Sequence, residues 1–296
     1  MTAPPPVAYV LDLPYLARRA WHAVERDTPK SRTPQMLGAF ANMLVKLLAE
    51  RRPAYLIAAA EYEGPTWRHA LFAGYKASRP PHPAGFDAQV IDAIRLLELH
   101  KIPVLAAGGF EADDVIATAT KVLRGAGLRV AIVSADKDLR ALVTDAAPEV
   151  RLWDGRTSTD PEERRKSWVT AARIRKEWGI EPDRVGDLLA LTGDDGDDVP
   201  GLKGVGPAKA AALLAESQDL EHAIALRRWG DSAPAKALNA NVEQVRLARQ
   251  LVALRDDVPV VVDLAAAEHR ASRYDRDGIA RFYEAAGLRH LADRLE

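Results

Sequence analysis

The feature that most constrains this chain is a short apolar run followed closely by an acidic residue. Three such pairs stand in the first half of the chain: Val7–Leu11 with Asp12, Tyr55–Ala59 with Glu61, and 130–134 with Asp136. Runs of this length and composition are typical of buried strands in a parallel sheet. Because the carboxyl ends of parallel strands share one edge of the sheet, the acids are predicted to meet there.

A second acidic feature lies where an apolar helix is predicted to begin. Glu111, Asp113 and Asp114 place three carboxylates within four positions. A helix start favours a negative charge by about 0.3–1 kcal/mol, but each further acid adds like-charge repulsion and a desolvation cost. A bound cation would offset that cost. For this stretch alone, a solvated acidic helix start is the alternative interpretation.

A third acidic cluster, 194–198, follows an apolar segment in the second half of the chain. Together with the strand ends and the helix start, it supplies more carboxylates than one pocket can hold without metal. We therefore predict a centre for divalent cations with these ligands: Asp12, Glu61, Glu111, Asp113, Asp114, Asp136, Asp138, Asp194 and Asp197.

Length and composition are those of an ordinary globular protein. The chain has 296 residues, 48% of them hydrophobic, a length that corresponds to about two domains. It contains no Cys, which excludes disulfides and thiolate metal sites and fits a reducing compartment. We find neither a leader-like segment nor an apolar run approaching about 18 residues. We therefore expect a cytoplasmic protein with no membrane partner.

The net charge is only −1, yet basic residues are concentrated in two stretches that lack acids, 64–86 and 199–215. This separation of acids and bases suits a phosphate backbone held beside a cation site. Either stretch alone could equally be an ordinary basic loop. In the first stretch, Tyr75, Lys76 and Arg79 are predicted to be exposed. An aromatic ring among basic side chains suits the binding of single-stranded nucleic acid.

The second basic stretch contains a glycine turn, Gly204 to Gly206, that opens an Ala-rich helix. Lys203 precedes the turn and Lys209 follows one helical turn later. Backbone N–H groups at such a helix start point towards a phosphate. Glycines also serve plain helix hairpins, so the turn alone is weak evidence.

Strands and helices alternate as far as residue 167, and helices dominate from 168 to 296, so we place a domain boundary between them. The first domain, 1–167, is predicted to be a three-layer α/β domain with a mainly parallel sheet, and 168–296 a helical domain. Within this outline, 156–166 is expected to be a surface loop, 233–254 one long helix and 258–262 a short extended run.

The order of motifs along nearly the whole chain resembles that of the 5′-nuclease (flap endonuclease) family, in particular the 5′–3′ exonuclease domain of bacterial DNA polymerase I. The motifs that carry the resemblance are Tyr75-Lys-Ala-Ser-Arg-Pro-Pro81, Phe110-Glu-Ala-Asp-Asp-Val115, Ala135-Asp-Lys-Asp-Leu139, Thr192-Gly-Asp-Asp-Gly-Asp-Asp-Val-Pro-Gly201 and Lys203-Gly-Val-Gly206. The family implies a PIN-like fold with a helical arch, here 64–86, and a helix-three-turn-helix at about 185–215 that binds duplex DNA. It also implies two or three Mg²⁺ or Mn²⁺ ions, and a K⁺ ion at the helix-three-turn-helix.

The resemblance also implies a role for each matching residue. The inner metal ligands would be Asp12, Glu111, Asp113 and Asp114, and the outer set Asp136, Asp138, Asp194 and Asp197. The basic residues near the scissile phosphate and on the arch would be Arg19, Lys76 and Arg79. The residues that contact DNA would be Tyr75, Lys203, Gly204, Gly206 and Lys209.

Three positions depart from the family pattern. Ala60-Glu61 stands where the family usually has Phe-Asp, Leu13-Pro14 where Gly usually follows the first Asp, and Asp198 where Asn is frequent. The longer Glu61 side chain is expected to change either the metal spacing or the reliance on a bridging water. The predicted function is metal-dependent 5′–3′ exonuclease and flap endonuclease activity on DNA with a 5′ flap, nick or gap, by a monomer. A catalytically weakened DNA-structure-binding protein and a PIN-type ribonuclease are the alternatives.

Overall fold

A computed structural model describes residues 5–29, 31–33, 35–215, 217–226 and 233–292. Its centre is a six-stranded sheet with the order β3-β2-β1-β4-β5-β6. The strands are β1 (Val7–Asp12), β2 (Tyr55–Ala59), β3 (Val104–Leu105), β4 (Arg129–Val133), β5 (Val150–Trp153) and β6 (Trp168–Val169). Neighbouring strands are parallel except β5 and β6, which are antiparallel. The parallel strands therefore end at one edge of the sheet, as their sequence predicts.

Helices cover both faces of the sheet. The helices in this part of the chain are α1 (Leu13–Glu25), α2 (Met36–Arg51), α3 (Trp67–Leu71), α4 (Phe86–Leu99) and α5 (Ala112–Gly125). Successive strand residues point to opposite faces. Leu11 packs in one core with residues of α1, α2 and α4, while Val10 packs in the other with residues of α5. The result is the three-layer arrangement that the alternation of strands and helices predicts.

Beyond the fifth strand the chain is mainly helical. Its helices are α6 (Pro161–Lys166), α7 (Ala171–Trp178), α8 (Val185–Thr192), α9 (Pro207–Ala215), α10 (Leu220–Leu226), α11 (Ala233–Ala240), α12 (Val242–Leu251), α13 (Leu264–Ala267), α14 (Arg276–Ala285) and α15 (Arg289–Ala292). α8 packs against both α9 and α12, and α14 returns to pack on α4. In the described residues, no helix has the length and apolar character needed to cross a bilayer.

Three local predictions were wrong. The stretch 156–166 contains α6, because Asp160 caps its N-terminus and Pro161 occupies the first turn. The long helix over 233–254 is interrupted at Asn241, whose backbone is not helical (φ −132°, ψ 32°). Residues 258–262 form no strand. The short β6 lies just beyond residue 167, and the domain boundary there stays a prediction.

Candidate metal centre

The acids at the carboxyl ends of the strands converge around Asp12 at the end of the central strand β1. One Asp12 carboxylate oxygen, Oδ1, caps α1 by accepting the N–H of Tyr15 at 3.0 Å. The other, Oδ2, accepts the hydroxyl of Ser134 at 2.6 Å, just after β4. Pro14 fits the first turn of α1, which needs no N–H at that point. The Leu13-Pro14 departure therefore leaves Asp12 in place.

Asp113, in the first turn of α5, completes this first group of acids. The charges that act on it belong to Asp136, Asp12, Asp138 and Glu61. This arrangement agrees with the prediction that acids from separate strands and from the helix start meet at one edge. Within this group, Glu61 and Asp136 are the exposed acids.

A second group joins this edge to the helical region. Carboxylate oxygens of Asp138, Asp194 and Asp197 all lie within 4.8 Å of one another. The loop that carries the last two folds back tightly, with Asp194 and Val199 exchanging backbone hydrogen bonds at 2.9 Å. A Cβ on Gly193 would lie 2.4 Å from the backbone N of Gly201, so this turn requires glycine.

Glu111 forms a third group with Asp197 and two residues of the basic stretch. Its Oε1 lies 2.7 Å from Nζ of Lys76, and its Oε2 accepts the hydroxyl of Tyr75 at 3.0 Å. The same hydroxyl is 3.0 Å from Asp197 Oδ2, and Arg79 forms an ion pair with Asp197. Since Asp138 belongs to the first two groups and Asp197 to the last two, the carboxylates form one continuous row.

The electrostatics of the row show the cost of collecting these charges. Burial raises the pKa of Asp138 to about 7, with Asp136, Asp194 and Asp197 adding to the rise. Burial and neighbouring carboxylates also raise the pKa of Asp12 and Asp113. Carboxylates with such neighbours are stabilised in the ionised form by a bound cation.

Among the described residues, two lysine side chains contact acids of the row. Lys76 contacts Glu111, and Nζ of Lys137 lies 2.7 Å from Asp194 Oδ1. Within the described residues, the buried Oδ1 of Asp138 has no hydrogen-bond partner. Hard divalent cations prefer oxygen donors of this kind. The donor set therefore fits the predicted metal ions.

Asp114 lies outside the row, although it is adjacent to Asp113 in sequence. It is fully buried, and both of its oxygens accept from the guanidinium of Arg68 at 2.8 and 2.9 Å. The indole N–H of Trp67 and the backbone N–H of Arg255 also donate to it, at 3.0 and 2.9 Å. With its oxygens engaged in this way, Asp114 supports the start of α5 instead of facing the other acids.

The segment 64–86, for which the resemblance implies an arch, contains the short α3 followed by turns. Tyr75 was predicted to be exposed, and this was wrong: only 3% of it is accessible, because its hydroxyl is directed into the row of acids. The N–H and hydroxyl of Ser78 donate to Asp198 at 2.7 to 2.8 Å. Asp198 has a left-handed backbone (φ 55°), which Asp tolerates nearly as well as Asn.

Arg19 does not reach the row of acids. Its guanidinium donates to the carbonyl of Asp154, directly after β5 and two strands away from β1. There it lines a cleft of about 380 Å³ with Lys46 and Arg156. The structure therefore separates Arg19 from Lys76 and Arg79, which do lie beside the row.

Both glycines of the turn before α9 are exposed, as are Lys203 and Lys209, while Val205 between the glycines is buried. Gly204 has a left-handed backbone (φ 77°), and its carbonyl accepts Nζ of Lys209 at 2.8 Å. Gly206 lies directly before the helix. The turn is thus open to a partner, while its role in DNA binding stays a prediction.

Sequence reasoning missed three residues of the centre: Ser134, Lys137 and Arg68. Lys137 stands between two predicted ligands, so its position was a usable signal. Ser134 ends a predicted strand, where a hydroxyl is easily passed over. Arg68 belongs to the basic stretch, and nothing in its local sequence distinguishes a buried arginine from an exposed one.

The site is a sheet edge lined with carboxylates, and a helical region with an open glycine turn follows it. Family comparison is more specific. Residues 7–179 match the 5′-3′ exonuclease N-terminal resolvase-like domain, and residues 180–275 match the 5′-3′ exonuclease C-terminal SAM fold. The chain belongs to the 5′-3′ exonuclease family, and the predicted α/β and helical architecture is confirmed.

Individual relatives agree with this assignment. The chain is 31% identical over 253 residues to the 5′-3′ exonuclease of Aquifex aeolicus, covering 85% of this chain and 83% of that protein. It is 32% identical over 282 residues to the thermostable DNA polymerase I of Thermus filiformis, covering 95% of this chain. The chain spans only 32% of the length of that polymerase.

Among solved structures, the T5 D15 flap endonuclease in complex with DNA and metal ions has a similar fold. The TM-score is 0.66 at 19% sequence identity, and the match covers 98% of this chain and 97% of that one.

Proposed function

We propose that this protein is a divalent-metal-dependent nuclease that hydrolyses phosphodiesters near the 5′ end of DNA, at flaps, nicks or gaps. The observation that carries the proposal is the continuous row of carboxylates, in which Lys76 and Lys137 occupy the positions of cations. Family membership and the Aquifex exonuclease support the same activity. Mg²⁺ and Mn²⁺ are the ions we infer, because the described donors are carboxylates.

The metal ligands in this proposal are the acids of the row: Asp12, Glu61, Glu111, Asp113, Asp136, Asp138, Asp194 and Asp197. When bound there, a pair of divalent ions supplies an activated water and stabilises the leaving 3′-oxygen. The protein's own contribution is to hold the carboxylates in place. Ser134 and the N–H of Tyr15 fix the two oxygens of Asp12.

Lys76 and Arg79 are proposed to neutralise charge on the phosphate that is cut. Both approach the row from the segment 72–85, and the backbone N–H of Lys76 donates to Asp197 O at 3.0 Å. Lys76 has a left-handed backbone (φ 53°), a conformation that costs energy in a residue with a side chain and is concentrated at functional sites. A cation bound by Glu111 would release the Lys76 ammonium towards substrate.

Duplex DNA is proposed to contact the glycine turn before α9, where Lys203 and Lys209 are exposed. The tight loop 193–201 links this turn to Asp194 and Asp197. A strand held at the turn would therefore run towards the row of acids. The implied K⁺ ion at this turn remains a prediction.

The test is incubation of 5′-labelled flap, nicked, gapped and blunt duplexes with the protein in Mg²⁺, Mn²⁺ or EDTA. We expect short 5′-labelled products from flaps and nicks with metal, and no cleavage in EDTA. An RNA flap of the same sequence serves as the matched substrate. Cleavage of RNA alone would favour a PIN-type ribonuclease, and tight flap binding without cleavage in either metal would favour a DNA-structure-binding protein.

A further inference from the structure

We propose that Arg68 is a positioning residue that orients Glu111 in the metal centre and ties the start of α5 to the end of α12. The inference rests on the proposed function, because it concerns how the metal ligands are held. Arg68 is 2% exposed, although arginine is seldom buried without a structural partner.

All five N–H donors of the Arg68 guanidinium are used. Nε donates to Leu251 O at 2.8 Å, and Nη2 donates to Ala253 O at 2.8 Å and to Asp114 Oδ1 at 2.9 Å. Nη1 donates to Asp114 Oδ2 at 2.8 Å and to Glu111 Oε2 at 3.3 Å. An arginine has five such donors in a rigid fork, so this set leaves none unsatisfied.

The acceptors come from two parts of the fold. Glu111 and Asp114 belong to the start of α5, while Leu251 is the last residue of α12 and Ala253 lies two residues beyond it. Carbonyls at a helix C-terminus carry partial negative charge and favour a cation. Arg68 therefore joins the catalytic edge of the sheet to the helical region through one buried side chain.

The bidentate pair with Asp114 explains why that acid is not in the row. A buried ion pair costs desolvation energy and is retained only with very good geometry. Here the geometry fixes Asp114, and Trp67 donates a further hydrogen bond to the same carboxylate at 3.0 Å. The Arg68 guanidinium also lies 4.4 Å from the centre of the Trp67 ring.

The consequence for Glu111 is that its two oxygens differ. Oε2 is held by Arg68 and Tyr75, whereas Oε1 lies 2.7 Å from Nζ of Lys76. The Lys76 side chain is 17% exposed and the Arg68 side chain 3% exposed. A cation can displace the flexible Lys76 ammonium from Oε1. Arg68 stays bonded to Oε2 and so keeps Oε1 directed at the metal.

The test uses Arg68→Lys, which keeps a charge but cannot reproduce the fork of five donors. Mn²⁺ binding is measured by calorimetry on the free protein without DNA. Because loss of a residue that orients a ligand typically costs about 10–100-fold in metal affinity, we expect a weakening of that size. Saturating Mn²⁺ should restore much of kcat on a flap substrate.

The matched control is Arg255→Ala. Its side chain is exposed, pairs with Asp257 and lies 5.9 Å from the same Trp67 ring, and its bond to Asp114 comes from the backbone. We expect unchanged Mn²⁺ affinity in this variant. If Arg68→Lys folds and binds Mn²⁺ as wild type does, or if Arg255→Ala weakens binding equally, the positioning role is wrong.

Arg68→Lys could fail to fold, so a second measurement uses the wild-type protein crystallised with Mn²⁺. We expect Arg68 still bonded to Glu111 Oε2, with Mn²⁺ on Oε1 and Lys76 moved away. Mn²⁺ on Oε2, or Arg68 released from Glu111, would overturn the proposal. Failure of the wild type to cut DNA would count against the proposed function alone, because neither metal measurement depends on cleavage.

Discussion

Nζ of Lys76 lies 2.7 Å from Oε1 of Glu111, so an ammonium group contacts the Glu111 end of the row of acids. Lys137 has the same relationship to Asp194 at the other side of the loop 193–201. Both lysines neutralise buried carboxylates. We infer that metal binding exchanges these ammonium groups for ions of higher charge, and the following predictions test that account.

Asp136→Ala is expected to abolish cleavage while leaving flap binding largely intact. The Asp136 charge contributes to the raised pKa of Asp12, Asp113 and Asp138, so its removal relieves repulsion in the metal-free protein. The melting temperature in EDTA should therefore be unchanged or higher. The control is Glu98→Ala, an exposed acid on α4. Wild-type cleavage by Asp136→Ala would show that Asp136 plays no part in catalysis.

The contribution of Asp138 to the stability of the metal-free protein is expected to become less favourable as pH rises from about 4 to about 7, the interval between the pKa of an unfolded carboxyl and the raised pKa of Asp138. Over that interval the folded state binds more protons than the unfolded state, so deprotonation costs stability. Asp138→Asn should show a smaller fall in melting temperature between pH 5 and pH 8 in EDTA.

Buried His100 acts in the opposite direction, because burial lowers its pKa to about 4. It is common to wild type and Asp138→Asn, so the comparison between the two proteins removes its effect. If the melting temperatures of the two proteins depend equally on pH, the pKa of Asp138 is not raised in the metal-free protein.

Lys209→Ala is expected to weaken duplex binding and to reduce the slope of log K against log salt by about one unit, since one phosphate contact is lost. In the structure its ammonium donates to Gly204 O, within reach of the exposed turn. Lys176→Ala, an exposed lysine on α7, is the control. If Lys209→Ala leaves the salt slope unchanged, Lys209 is an ordinary solvated side chain that contacts no phosphate.

Glu61→Asp is expected to raise the cleavage rate in Mg²⁺ more than in Mn²⁺. Mg²⁺ demands near-ideal octahedral geometry, whereas Mn²⁺ binds carboxylate sites more tightly. The exposed Glu61 is long and close enough to raise the pKa of Asp113, which suits the ligand of adjustable reach that we propose it to be. The measurement is the ratio of rates in the two metals. Equal rates in the wild type, unmoved by the substitution, would leave this departure from the family without functional meaning.

Much of the sheet could be predicted, because strand and helix periods survive in the local sequence. β2 begins and ends at the predicted residues, and β4 lies one residue before the predicted run 130–134. The meeting of Asp12, Asp113 and Asp136 followed from a general property of parallel sheets. Helix α6 was missed because its signals are an N-cap and terminal charges, without an apolar period.

The division of labour between Asp113 and Asp114 could not be predicted. Both acids lie in the first turn of the same helix, and Asp114 is distinguished by its bonds to Arg68, Trp67 and the backbone N–H of Arg255, all distant in sequence. The burial of Tyr75 has the same origin, since its partner Asp197 is more than a hundred positions away in sequence. Such long-range polar contacts leave no trace in a local pattern.

The central claim, that the row of acids binds divalent cations, is tested most directly by Mn²⁺ calorimetry on wild type and Asp113→Asn at pH 7.5, without DNA. We predict that wild type binds at least two ions and that Asp113→Asn loses at least one of them, with an unchanged circular dichroism spectrum. No Mn²⁺ binding by the wild type, or the same isotherm for both proteins, would contradict the account.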